Sequence, residues 1–255
     1  MAVISSDFRW RSNALGFMTD CRLLIPDARE VPPPWNLLLL LHGRSDDCTA
    51  WTRFSAIERH LEGYPLVVAM PNGYVSYYRD PIGRSGVETA LMMELIPLLE
   101  TTLPIRSDRF AQGIAGLSMG GYGALYLAAK YPEQFCAVSA LSPAVLESRR
   151  GGEADRNVAW QDIFGSPIDE DTTLLNLLSQ LDANTSPEFQ VIVGDRDFLL
   201  EEAKSLDQWL KRYNLRHVYH ERQGAHDWNF WERQIPDMLR FQLTEMKKWE
   251  KRGED

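Results

Sequence analysis

The sequence predicts an α/β fold: a mostly parallel central sheet flanked by helices on both faces. Three observations carry that expectation. Short apolar runs without polar alternation recur along the chain, as in strands covered on both faces. Stretches with helical apolar spacing alternate with those runs, the pattern of βαβ units. The chain has 255 residues, 44 % of them hydrophobic and 25 % charged. α/β proteins of that length form one domain, with a core large enough to need no disulfides.

In chain order, the segment before Pro32 has strand character and is expected to supply antiparallel edge strands. Pro32, Pro33 and Pro34 punctuate the approach to a leucine run over 36–41, read as a fully buried strand ending in His42-Gly43. A helix over 51–61 and a buried strand over 65–70 follow. Leu91, Leu95 and Leu98 give helical spacing over 87–101, and a strand covers 110–117. The Ala- and Leu-rich stretch 120–130 is a helix stopped by Tyr131-Pro132, because the residue before proline is pushed out of helical conformation. Strands over 135–141 and 189–193, a helix over 199–213, a strand over 217–220 and a closing helix over 229–249 complete the alternation. Residues 1–255 are read as one domain, with 147–187, longer and more polar than a normal connection, as a candidate lid or substrate-facing insertion.

The formal net charge of −9 disfavours nucleic-acid binding, which usually shows a basic face, and basic residues here run no further than pairs such as Lys247-Lys248. Cys21, Cys48 and Cys136 are odd in number and irregularly spaced, which fits neither a disulfide framework nor a zinc site. Residues 1–11 carry no signal-type apolar core, and no stretch approaches the roughly 18 apolar residues of a membrane span. The expectation is a cytoplasmic protein with no membrane or nucleic-acid partner and no cofactor or metal; a homo-oligomer stays open.

The most informative residues are Gly116-Leu117-Ser118-Met119-Gly120-Gly121, between an expected strand and an expected helix. A sharp strand-to-helix turn of the G-x-S-x-G kind strains the serine's backbone and needs small residues two before and two after it. It also sets the Ser118 hydroxyl at a helix N-terminus, where developing negative charge is favoured. Such a serine needs a base and the base an orienting carboxylate, in the chain order Ser, acid, His. Asp195 and Asp197, just past the strand over 189–193, both qualify as the acid. His217, His220 and His226 follow; the first two lie in an expected strand, whereas His226 lies in a loop at the right edge of the sheet. Acyl transfer also needs backbone N–H donors for the oxyanion. Met119, after the nucleophile, and Arg44, in the loop after the leucine run, are the candidates, with His42 read as structural. Tyr74, Tyr77, Tyr78, Trp228 and Trp231 are candidate pocket aromatics, Tyr78 and Trp228 foremost.

With these pieces in view, the chain resembles the esterase D-type family of α/β-hydrolases, which includes tributyrin esterases, S-formylglutathione hydrolases, feruloyl esterases and mycolyl transferases. The resemblance rests on LLLLLHGRSDD, VVAMPNG, VETALMMELIPLLE, AGLSMGGYGAL, VGDRDFL and GAHDWNFW, spread from residue 36 to about 240. It implies an α/β-hydrolase fold and a Ser118, Asp197, His226 triad, Asp197 being the aspartate before the aromatic of a G-x-x-D-F turn. It also implies oxyanion roles for Arg44 and Met119. Within the family the chain is more similar to the tributyrin-esterase branch, having only Cys48 near the oxyanion loop. The expected activity is serine carboxylesterase action on short acyl or small aryl esters through an acyl-enzyme, rising with pH as the histidine loses its proton. The alternatives are a feruloyl-type esterase, an S-formylglutathione-type thioesterase, an acyltransferase and a non-catalytic binding protein on the same scaffold.

Overall fold

The computed structural model describes residues 3–145, 162–165 and 170–253. Its eight-stranded sheet begins with an antiparallel hairpin, β1 (Val3–Arg11) and β2 (Met18–Pro26). The other strands are β3 (Asn36–Leu41), β4 (Leu66–Pro71), β5 (Gln112–Leu117), β6 (Ala137–Leu141), β7 (Glu188–Gly194) and β8 (His217–Arg222). The spatial order is β1-β2-β4-β3-β5-β6-β7-β8, with β2 antiparallel to β4 and every pair from β4 to β8 parallel. The expected edge strands before Pro32 are thus β1 and β2.

The leucine run shows why its strand reads as continuous apolar sequence. Successive strand side chains point to opposite faces. Leu37, Leu39 and Leu41 join one core layer, and Leu38 and Leu40 the other. The first layer is roofed by α4 (Ile96–Thr102), α5 (Met119–Lys130), α6 (Leu174–Ser179) and α7 (Leu200–Arg212). Across the sheet lie α1 (Ala50–Phe54), α2 (Ile57–His60) and α8 (Trp228–Gly253). Trp231, Ile235 and Met238 of α8 are buried in that second layer, with Phe241 packed against it.

Two helices differ from the sequence expectation. The helix over 51–61 is split into α1 and α2 at Ser55, whose backbone is extended and whose hydroxyl folds back onto Trp51 O. Glu232 of α8 accepts the Ala56 N–H at 3.1 Å and also reaches His60 at 3.4 Å, so a tertiary tie replaces the missing helical continuity. The helix over 87–101 is helical throughout but opens into a π-helical stretch, Ala90–Leu95, between α3 (Val87–Thr89) and α4. Pro97 has no N–H for the carbonyl of Met93 and its ring crowds that group, so a wider turn relieves both problems. There Ile96 N–H donates to Leu91 O.

The candidate insertion 147–187 lies partly outside the described residues. In its described part, Ile163 and Phe164 are buried, and α6 packs on the first core layer through Leu174 and Leu178. Arg79 ties this region to α5, donating to Thr172 O at 2.9 Å and to the Tyr122 hydroxyl at 3.0 Å.

The sheet has one place where connections from adjacent parallel strands leave in opposite directions. β3 leads to β4 on one side, and β5 leads to β6 on the other. Loops at the C-terminal ends of such a pair splay apart and leave a crevice, where open α/β sheets bind ligands. The loop starting at His42 and the turn at Ser118 stand on its two sides.

Candidate active site

Ser118 occupies the turn between β5 and α5 with φ 53° and ψ −116°. A non-glycine residue at positive φ costs roughly 1–3 kcal/mol and persists only where its surroundings enforce it. Here Ser118 N–H donates to Leu141 O at 2.9 Å, and Ser118 O accepts from Tyr122 N–H at 3.0 Å and Ala144 N–H at 3.1 Å. The flanking glycines are steric necessities. A Cβ on Gly116 would lie 2.3 Å from Gly120 O, and one on Gly120 would lie 2.4 Å from Leu41 O.

The structure brings Ser118, His226 and Asp197 into one hydrogen-bonded chain. Ser118 Oγ lies 3.0 Å from His226 Nε2, and His226 Nδ1 lies 3.0 Å from both carboxylate oxygens of Asp197. An ionised carboxylate can only accept, so Nδ1 carries the proton and Nε2 is left to accept from the serine. The Asp197 side chain has no exposed surface. Burial pushes its carboxyl up, but hydrogen bonds from His226, Ser142 and the Leu199 N–H outweigh that and hold it below its ordinary value.

Of the two aspartates open in the sequence, Asp195 serves the backbone: Oδ1 accepts the Gly224 N–H at 3.0 Å. His217 is engaged with Leu215 O and Asp207 of α7 at the N-terminal end of β8, away from the strand ends that carry Ser118 and His226. His42 is structural, as expected. Its Nδ1 donates to Gly43 O at 2.7 Å and its Nε2 accepts from Gly73 N–H at 2.8 Å. Burial pushes its imidazole below the ordinary value, in keeping with that neutral tautomer.

Ser118 and His226 open onto a cleft of about 1000 Å³. Gly43, Arg44, Ser45 and Asp46 form one side, and Phe54, Trp228, Trp231, Phe198 and Val75 supply apolar surface. Trp228, expected as a pocket residue, is there, with its ring 5.2 Å from Trp51, 5.3 Å from Phe54 and 5.5 Å from Trp231. Tyr78 is not. It is completely buried and its hydroxyl donates to His42 O at 3.0 Å, so it braces the loop after β3 from behind and does not line the cleft. Tyr77 is likewise buried, edge-on to Tyr122 and Phe164. Phe54, Val75 and Phe198 were not singled out in the sequence; only Phe198 had a local signal, as the aromatic after Asp197.

Met119 is the first residue of α5, where a helical N–H has no intrahelical acceptor. Arg44 lines the cleft with Ser118, and its neighbour Gly43 approaches Leu117 and Ser118 closely enough that a Cβ there would sit 2.8 Å from Leu117 Cδ1 and 3.7 Å from Ser118 Cβ. Among the described residues no cluster of three His, Cys, Asp or Glu side chains is arranged to hold a metal ion, and no helix is long and apolar enough to cross a membrane.

Comparison with known proteins gives a consistent picture. A family model described as "Putative esterase" matches residues 12–242. An acetyl esterase of Caldicellulosiruptor saccharolyticus is 31 % identical over an alignment of 212 positions that covers 78 % of this chain and 79 % of that protein. A fluorophosphonate-binding serine hydrolase of Staphylococcus aureus superposes with a TM-score of 0.84 at 23 % identity, covering 93 % of this chain and 97 % of its own. An S-formylglutathione hydrolase of the same organism gives 0.82 at 24 % identity, with coverage of 93 % and 97 %.

Proposed function

Because the chain belongs to this esterase family and carries its α/β-hydrolase fold, we propose that it hydrolyses short-chain carboxylic esters through a Ser118-His226-Asp197 triad and an acyl-enzyme. The observation that carries this reading is the hydrogen-bonded chain from Ser118 Oγ through His226 to Asp197 at the floor of an open cleft.

In this mechanism Ser118 Oγ attacks the ester carbonyl carbon while its proton passes to His226 Nε2. Asp197 keeps the proton on Nδ1 and stabilises the imidazolium. The carbonyl oxygen, now carrying the negative charge, takes hydrogen bonds from the N–H groups of Arg44 and Met119, each worth roughly a hundredfold to a thousandfold in rate by comparison with other oxyanion donors. The intermediate collapses, His226 protonates the departing alcohol, and the acyl group remains on Ser118. Water then repeats the attack with His226 again as base, releasing the acid. Nothing in the cycle requires a metal or an organic cofactor.

The acyl group and alcohol are proposed to be small, in line with the acetyl esterase relative. A second reading, action on aryl esters, is favoured by the aromatic wall of Phe54, Phe198, Trp228 and Trp231. Hydrolysis of p-nitrophenyl acetate, butyrate and octanoate and of methyl ferulate, by the native protein and by Ser118→Ala, tests both. The native protein is expected to turn over the short esters, and Ser118→Ala to lose up to about a million-fold. Equal activity of the two proteins would remove Ser118 from the mechanism.

A further inference from the structure

The loop leaving β4, residues 72–78, walls one side of the cleft on a strained backbone. Tyr74, Tyr77 and Tyr78 have φ of 50°, 54° and 58°, and they are three of the six non-glycine residues at positive φ among the described residues. Such conformations persist only where the surroundings over-determine them, and they gather at ligand clamps and active sites.

The ties that hold this loop come from two directions. The loop after β3 holds its base: Gly73 N–H donates to His42 Nε2 at 2.8 Å, Cys48 N–H donates to Asn72 Oδ1 at 2.8 Å, and the Tyr78 hydroxyl donates to His42 O. Inside the loop Ser76 Oγ donates to Gly73 O at 2.5 Å and accepts the Tyr78 N–H at 2.9 Å. The β1–β2 hairpin holds the rest. Asn72 N–H donates to Asp20 O at 3.0 Å, the Tyr74 hydroxyl lies 2.8 Å from Thr19 Oγ1, and the Tyr74 ring stands edge-on to Phe17 at 5.9 Å and 81°. The hairpin turn is itself anchored, because Glu94 accepts the N–H groups of Asn13 and Ala14 at 3.0 and 2.9 Å. Tyr74, a candidate pocket aromatic in the sequence, is therefore turned to the hairpin, and the side chain after it, Val75, lines the cleft with Ser118. Of residues 72–78, Val75 alone does so, and it is 44 % exposed.

We propose that Val75 is a specificity-determining residue for the acyl group of the ester, held in the cleft wall by Tyr74 as its positioning residue. This rests on reading Ser118 as the nucleophile and His226 as the base. In the tetrahedral intermediate the carbonyl oxygen is drawn to the N–H groups of Arg44 and Met119, and the alcohol oxygen to His226 Nε2. The acyl carbon takes the direction that remains. His226 follows β8, on the β6 side of the nucleophile's strand, whereas Val75 follows β4, on the β3 side. An acyl chain reaching toward β4 covers the exposed valine and gains by removing apolar surface from water. A wall pinned on two sides cannot retreat from a longer chain, so the volume of residue 75 sets the length accepted.

The test measures kcat/KM for p-nitrophenyl acetate, butyrate and octanoate with the native protein, Val75→Ala, Val75→Phe and Tyr74→Phe. The readout is the octanoate-to-acetate ratio, which a general loss of folded protein leaves alone. Val75→Ala is expected to raise that ratio by about tenfold and Val75→Phe to lower it by about tenfold, the scale of one or two methylenes in an apolar pocket. Tyr74→Phe keeps the ring on Phe17 but loses the bond to Thr19, and should raise the ratio by a smaller factor. Ethyl, butyl and hexyl acetates, followed by acid release, vary the alcohol instead, and their ratios should stay native in both Val75 variants. Native acyl ratios in both Val75 variants would overturn the proposal, and so would a shift confined to the alcohol series, which would put Val75 beside the leaving group. A native ratio in Tyr74→Phe would remove its positioning role. Ser118→Ala, measured alongside, separates the failures. If it is inactive while the Val75 ratios are native, only the acyl-wall reading falls; if it retains native activity, the nucleophile reading falls and takes this one with it.

Discussion

The ring of Phe198 lies 4.4 Å, centroid to centroid, from the imidazole of His226, yet Phe198 is 66 % exposed. A large apolar side chain left in solvent beside the proposed base is placed to be covered by substrate. Phe198→Ala should therefore raise KM for aryl and longer acyl esters by about tenfold, the scale of one aromatic contact, with a smaller effect on acetate esters. Its unfolding free energy should change by no more than about 0.5 kcal/mol, as for other exposed positions. Parallel kinetics on p-nitrophenyl acetate and methyl ferulate, with a urea titration, read both. An equal KM change on every ester would mean that Phe198 positions His226 and does not meet the acyl group.

Asp46 gives a pH-dependent prediction. Burial pushes its carboxyl above the ordinary value, outweighing the nearby His42 and Arg53 and the hydrogen bond from Trp228. A raised value means that the folded state holds this proton more tightly than the unfolded chain does. Ionisation therefore costs the fold stability above roughly pH 4, and the cost disappears as the group is protonated at lower pH. Asp46→Asn keeps the size of the side chain and removes the charge, so its Tm should exceed that of the native protein near pH 7. The advantage should shrink toward about pH 3.5. Thermal melts at the two pH values settle the sign.

Gly120 tests the elbow's packing. The Cβ added by Gly120→Ala would meet Leu41 O at 2.4 Å and His42 O at 2.7 Å, both backbone atoms that no rotamer change can move. The end of β3 must shift, which should cost about 1–3 kcal/mol or more. Because that strand end carries the Arg44 loop, esterase activity should fall further than the loss of folded protein accounts for. Activity normalised to the folded fraction, from circular dichroism, distinguishes the two effects.

What was legible in the sequence is what local physics determines. The leucine run alternates between two core layers, so its apolar continuity marked a strand covered on both sides. Gly116 and Gly120 are demanded because a Cβ at either would fall within 2.5 Å of backbone oxygen, and so they stand out as a motif. Asp197 and His226 stood in turns just past strands, where the fold collects its loops. The rest depended on contacts distant in sequence. The break at Ser55 is stabilised by Glu232, far along the chain. Tyr78 has the local look of a pocket aromatic, and only its bond to His42 O, 36 residues away in the chain, assigns it to the interior.

The strand order has a practical corollary. Ser118, Arg44, Asp197 and His226 all follow the C-terminal ends of β3, β5, β7 or β8, so the proposed chemistry hangs from a single rim of the sheet. The opposite rim, where the turns before β5 and β6 lie, carries none of these groups. Sequence drift there would be filtered by stability, and drift at the cleft rim by turnover. A support or fusion partner tethered through the far rim would leave the mouth of the cleft facing the solution.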